Sequence, residues 1–270
     1  EGMTQFEANY IKLVNKIVRE GVDKDTRNGT TRSIFGEMID LGDVFTEFPI
    51  IQGRKIYSKG ILGELAAILN KPKHVDDFKK KGCNYWDKWA RIDGSINVDY
   101  GNAWYDFNGV DQIAELKYKL KHKPNDRRMI VTGWNPGNLE DLDLPCCHMM
   151  YQFHVSKGNT LNMLWTQRSV DTMIGLPSDA VFAATWLIIL ANEVGLKPGN
   201  IKMSLGDVHI YQEHLEEVIT YLDQARSIAS YSPRWELNME KGQAMEEFMP
   251  EMLTLTSYDH RASISFELKG

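Results

Sequence analysis

Apolar residues recur at Phe6, Ile11, Val14, Ile17 and Val18 with the three-and-four spacing of one helical face, and Gly21 closes that run. Arg27-Asn28-Gly29-Thr30-Thr31 is polar and turn-rich, so it reads as a loop. Ile61 to Leu69 is a short apolar helix carrying one carboxylate, Glu64. Met129 to Thr132, Met150 to Val155, Leu161 to Thr166 and Ile201 to Leu205 read as strands. Pro177 suits a helix start, and the apolar stretch from there to Asn192 predicts a buried helix. Leu215 to Ala225 is amphipathic. Helices and strands mix without strict alternation, which favours an α/β (α+β) fold with a large mixed sheet and helices packed on it. No repeat, low-complexity tract or Pro/Ser-rich linker divides the chain, so one domain over 1–270 is expected.

Composition narrows the function classes. A formal net charge of −6 argues against nucleic acid as an obligate partner, though a local basic pocket can sit in an acidic whole. The longest apolar run, Ala180 to Ala191, is too short to span a bilayer, and no leader pattern is visible, so no membrane association is expected. The cysteines number three, Cys83, Cys146 and Cys147, an odd set with one vicinal pair. That gives no disulfide framework and points to a reducing cytoplasm. Glu1-Gly2 before Met3 reads as an expression scar.

Candidate chemistry concentrates in three stretches. Leu144-Pro145-Cys146-Cys147-His148 puts a cysteine at a strand start, where it can act as a nucleophile; a lone cysteine is more often a small buried hydrophobe. Gln167-Arg168-Ser169-Val170-Asp171, followed by Gly175-Leu176-Pro177-Ser178-Asp179, changes the odds. An arginine near a thiol lowers its pKa, and Arg beside Ser suits a phosphate. In Gly206-Asp207-Val208-His209-Ile210-Tyr211, His209 and Tyr211 fall on one face of an extended segment, within reach of one sugar hydroxyl.

Taken in order and spacing, these stretches resemble the thymidylate synthase family over most of the chain. The resemblance includes Arg27, Phe48-Pro49-Ile50-Ile51, Glu64-Leu65, Trp86-Asp87 with Trp89, Tyr100-Gly101, and Arg127-Arg128 ahead of Trp134-Asn135. It implies that family's mostly antiparallel mixed sheet, a pyrimidine deoxynucleoside monophosphate substrate and 5,10-methylenetetrahydrofolate as one-carbon donor. By the same resemblance Cys147 is the nucleophile at ring carbon 6, and Glu64 organises water and moves protons. Tyr100 and His148 match polar groups around the proton-transfer site, where each also reads as a satisfied core residue. Arg27, Gln167, Arg168 and Ser169 hold the nucleotide. Arg127 and Arg128 come from the other subunit of a homodimer. His209 and Tyr211 take the sugar hydroxyl. Trp86, Asp171 and Gly175 face the folate. No metal site is implied.

Two departures matter. Asp179 stands where the family usually has Asn facing the uracil edge. Cytosine reverses that edge, and a carboxyl can accept from its amino group and donate to, or pair with, ring nitrogen 3. The family's phage deoxycytidylate hydroxymethylase branch resembles this chain in carrying Asp there. The tail Ser265-Phe266-Glu267-Leu268-Lys269-Gly270 is charged where the family has a short apolar closure, which favours capture by water and a hydroxymethyl product. A methylating synthase on dUMP or dCMP remains a competing expectation. A nucleotide- or RNA-binding relic is disfavoured by the retention of Cys147, Glu64 and the arginines.

Overall fold

A computed structural model describes residues 2–269. Glu1 of the Glu1-Gly2 pair and Gly270 of the tail lie outside the described residues. The first half runs α1 (Gln5–Glu20), β1 (Val22–Thr26), β2 (Gly29–Asp43), α2 (Ser58–Ile68), α3 (Val75–Lys79), α4 (Asn102–Tyr105) and α5 (Gln112–His122). The second runs β3 (Ile130–Thr132), β4 (His148–Ser156), β5 (Thr160–Asp171), α6 (Gly175–Val194), β6 (Lys197–Tyr211), α7 (Leu215–Gln224), β7 (Arg234–Leu237) and β8 (Leu253–Thr256).

The main sheet has the order β1-β2-β6-β5-β4-β3. Every neighbouring pair in it is antiparallel except β5 and β6. Those two are joined through α6, the long connection that parallel strands require. α6 is apolar almost all round because it is buried in the protein. By length and composition it would suffice to cross a bilayer, but its apolar surface is taken up by the core. Trp104 stacks on Trp186 of this helix at 4.4 Å, and Tyr151 and Phe153 of β4 meet Trp186 edge-on.

Several elements differ from the sequence expectation for identifiable reasons. Only Arg27 and Asn28 form the turn of the early segment, because Thr26 pairs with Gly29 and the β-branched Thr30 and Thr31 continue as strand. α6 begins two residues before Pro177, which is tolerated because first-turn N–H groups have no helical partner. β6 runs ten residues beyond the expected Ile201 to Leu205 in total, since parallel pairing with β5 and antiparallel pairing with β2 satisfy its polar positions as well. Gly206 permits that pairing: a Cβ there would lie 2.5 Å from the Arg168 carbonyl oxygen.

Residues 257–269 lie extended along the surface. The Arg261 N–H donates to the Gln52 carbonyl at 2.7 Å, Tyr57 and Ser263 share a 2.8 Å hydroxyl contact, and His214 Nε2 meets the Glu267 carbonyl at 2.8 Å. Phe266 sits beneath the Arg54 guanidinium at 4.6 Å, while Lys269 pairs with Glu213 at 2.7 Å.

Candidate active site

The carboxyl ends of β5 and β6, the start of α6 and the turn before β4 converge on one region. Parallel strands leave such a crevice at their carboxyl ends, which is where open α/β sheets take ligands. Cys147 occupies the turn before β4 and is partly exposed, whereas Cys146 is buried. Arg168 of β5 clasps this turn. Its Nε donates to the Cys146 carbonyl at 2.9 Å, its Nη2 to the Pro145 carbonyl at 3.4 Å, and Nη2 lies 4.0 Å from Cys147 Sγ. The Tyr100 hydroxyl oxygen accepts the Cys147 backbone N–H at 2.5 Å.

The thiol does not titrate as Arg168 alone would suggest. Burial pushes the Cys147 pKa up, Arg168 opposes this, and the charge of Asp179 adds to the rise. The net direction is upward, so the resting group is a thiol.

Two carboxyls face the same space. Glu64 on α2 accepts the Trp86 indole N–H at 2.6 Å, and burial pushes it up to about 7 against the hydrogen bonds from Trp86 and Tyr85. Asp179 on α6 accepts from Gln167 Nε2 at 2.9 Å. Burial pushes it up to about 7 too, the Gln167 bond opposes this, and the charge of Glu64 raises it further. Both folded values exceed those of an unfolded chain. Their contribution to stability is therefore complete in acid and is lost as pH rises through about 7. Asp179→Asn is expected to gain roughly 1–3 kcal/mol relative to the parent between pH 5 and pH 8. Denaturant midpoints at the two pH values measure it; equal differences at both would show that the carboxyl holds no proton near neutrality.

The other expected residues divide into two groups. Ser169 pairs with Asp207, and Asp171 with His209, in the β5–β6 register. The His209 and Tyr211 rings lie 5.5 Å apart on one side of β6, and His209 Nδ1 is 3.0 Å from Asp207 Oδ1. Burial, then the Asp171 charge, raises the Tyr211 phenol, while Asn28 and Arg27 pull it back, so the β1–β2 turn reaches this end of β6. Asp171 Oδ1 accepts the Met173 and Ile174 N–H groups at 3.1 and 3.4 Å. Arg127 and Arg128 do not join the cluster. They are exposed between α5 and β3, and neither guanidinium has an ion pair or hydrogen bond among the described residues.

His148 and Trp86 sit deeper than a ligand-facing reading suggests. His148, the first residue of β4, points into the core, 4.3 Å from the Trp165 ring and 4.5 Å from Tyr100. Its Nδ1 meets the Tyr151 hydroxyl at 2.5 Å, and burial pushes its pKa down to about 3, so it is neutral near pH 7. Trp86 is buried, stacked on Phe78 at 4.8 Å, and its only N–H is engaged by Glu64. Trp89, 5.1 Å from Trp86, is the half-exposed ring of the pair. Sequence reasoning missed Trp165, which donates to Gln167. The two-residue spacing on β5 was the available signal. It also missed the hydrogen bond from half-buried Asn138 to the buried Asp99, 3.2 Å long, which accounts for the acid before Tyr100. A separate groove of about 990 Å³, bordered by Lys55, Tyr57, Lys59, Pro250 and His260, includes none of these residues.

Among known protein families, residues 8–269 match the family described as thymidylate synthase. The match spans nearly the whole chain, and the mixed sheet agrees with that family's fold. The chain belongs to the thymidylate synthase family, whose enzymes transfer one-carbon units to a deoxypyrimidine monophosphate.

Proposed function

We propose that this enzyme hydroxymethylates dCMP at ring carbon 5. The observation that carries the reading is Asp179: a recessed carboxyl on α6, raised to about 7, beside both Cys147 and Glu64. A carboxyl that holds its proton near neutrality can donate it to cytosine ring nitrogen 3 while accepting from the amino group. A site arranged for that edge leaves polar groups unpaired against uracil, which is a strong basis for discrimination.

On this reading Arg27, Arg168 and Ser169 grip the phosphate, and His209 and Tyr211 take the sugar hydroxyl. The Cys147 thiol gives its proton to an ionised Glu64 as Sγ bonds to carbon 6, and the pair of the carbon 5–carbon 6 double bond makes carbon 5 nucleophilic; carbon 5 later loses its hydrogen as a proton, and Sγ leaves carbon 6 with its bonding pair as that double bond re-forms. Asp179 supplies a proton at ring nitrogen 3, which makes carbon 6 a better acceptor. Tyr100 holds the turn that carries the thiol. Glu64, fixed by Trp86, orients and deprotonates the water that captures the exocyclic methylene.

The surroundings fit a flat folate ring. Gly175 leaves a bare surface, where a Cβ would sit 3.6 Å from Val170 Cγ2 and 3.8 Å from Asp179 Oδ2. Asp171 engages backbone N–H groups through Oδ1 and keeps Oδ2 for a ring donor, and Trp89 offers a half-exposed face. Bound 5,10-methylenetetrahydrofolate supplies the one-carbon unit at the formaldehyde oxidation level.

One assay tests base and outcome together. With dCMP and the folate, product should form without dihydrofolate absorbance, and dUMP should be the poorer substrate. Dihydrofolate formed mole for mole with product would make the enzyme a methylating synthase.

Assembly has its own test. The unpaired Arg127 and Arg128 suit donation to a partner subunit's phosphate, in line with the homodimers typical of the family, and the three free cysteines suit a reducing, cytoplasmic setting. Inactive Arg127→Ala and inactive Cys147→Ala proteins, mixed under subunit exchange, should regain up to about a quarter of parental activity, because one site per hybrid is then complete. Absence of recovery despite exchange would place these arginines outside the neighbour's site.

A further inference from the structure

Asp179 lies at the end of a directional hydrogen-bond chain. Trp165 and Gln167 are two residues apart on β5, so their side chains share its inward face, and both are buried. Trp165 Nε1 stands 2.9 Å from Gln167 Oε1. Gln167 Nε2 stands 2.9 Å from Asp179 Oδ2 and 3.0 Å from the Ser169 carbonyl oxygen. An indole can only donate, so the Gln167 atom facing it is the amide oxygen. The Ser169 carbonyl can only accept, and it demands the same orientation. The indole itself is held by the rings of His148 at 4.3 Å, Tyr151 at 5.1 Å and Phe182 at 5.9 Å. Phe182 lies on α6 about one turn beyond Asp179, so strand and helix are fixed to each other at this point.

The consequence falls on the carboxyl. A free carboxylic acid can carry its proton on either oxygen, so it can match a cytosine edge or, by moving the proton, the reversed uracil edge. An N–H aimed at one oxygen removes that freedom. We propose that Trp165 is a specificity-determining positioning residue: through Gln167 it holds Asp179 Oδ2 as an acceptor and confines the Asp179 proton to Oδ1. The carboxyl then reads one pyrimidine edge and rejects its reverse. For cytosine, Oδ2 accepts from the amino group and the Oδ1 hydroxyl donates to ring nitrogen 3. Trp165 touches no substrate and acts only through the amide of Gln167. The inference rests on the proposed placement of Asp179 at the base edge, and it adds what makes that edge one-way.

Two substitutions test it on the full chain. Trp165→Phe removes the indole N–H and keeps a ring, while Gln167→Met removes the amide at similar volume. Dissociation constants for dCMP and dUMP are measured by calorimetry without folate, and a thermal melt checks that each variant is folded. The dUMP/dCMP ratio of dissociation constants should fall about tenfold in either variant, the weight of one hydrogen bond, chiefly through tighter dUMP binding. A role limited to packing weakens both nucleotides together and leaves the ratio unchanged. An unchanged ratio in the folded variants overturns the lock whatever base the parent prefers, and if Trp165→Phe does not fold, Gln167→Met decides. A parent that prefers dUMP overturns the cytosine reading instead, and a ratio that still collapses toward one in the variants sustains the lock. A parent that binds both nucleotides equally overturns both.

Discussion

Cys147→Ala is expected to abolish turnover, by on the order of 10⁴-fold or more, because in the proposed mechanism its thiol forms the bond to carbon 6. Nucleotide binding should change by no more than about threefold, since the proposed phosphate and sugar ligands lie on β5, β6 and the β1–β2 turn rather than on the thiol's turn. Cys146→Ala is the control. Cys146 is buried near Gly133, and burial pushes its thiol up to about 12, so it stays protonated and inert. Its loss should cost about 1–2 kcal/mol of stability as a small cavity and leave kcat nearly unchanged. Single-turnover kinetics and equilibrium binding on the two variants separate the roles. An active Cys147→Ala with a dead Cys146→Ala would shift the nucleophile by one residue and, with it, the whole arrangement around Arg168.

The periodic signals carried the fold, and their failures have specific causes. α1 and α7 follow apolar spacing closely, because each buries one face against the rest of the protein, whereas α2 is legible as a short apolar run because it is buried nearly all round. β6 reads too short in sequence because Pro198-Gly199-Asn200 and Gly206-Asp207, which flank the alternating Ile201 to Leu205, look like turn residues, and only its pairing with two neighbours reveals its length. The grouping of Arg168, Ser169, Asp171, His209 and Tyr211 was legible as motifs, and the β5–β6 register brings those motifs side by side. Electrostatics was not legible. Arg168 beside a thiol suggests thiolate, yet burial outweighs it, and burial is a property of the assembled region. In the same way, Trp86 reads as a surface for a ligand until the fold stacks it on Phe78 and gives its N–H to Glu64.

Asp179→Asn carries the second large effect. With Gln167 Nε2 fixed as a donor, the new amide is held with its oxygen toward Gln167 and its NH₂ where the Oδ1 hydroxyl stood. It still accepts from the cytosine amino group and donates to ring nitrogen 3, so dCMP should bind within about tenfold of the parent. It cannot release a proton to that nitrogen. The loss therefore falls on the chemical step, by roughly 10²–10⁴ in kcat, the range of a positioned general acid. The decisive measurement is the ratio of kcat/KM for dCMP over dUMP in the parent and in Asp179→Asn. The parent should favour dCMP strongly, and the variant's ratio should fall by orders of magnitude through kcat on dCMP. A parent that favours dUMP, or a variant that turns over dCMP at the parental rate, contradicts the assignment of Asp179 as the residue that reads and protonates cytosine.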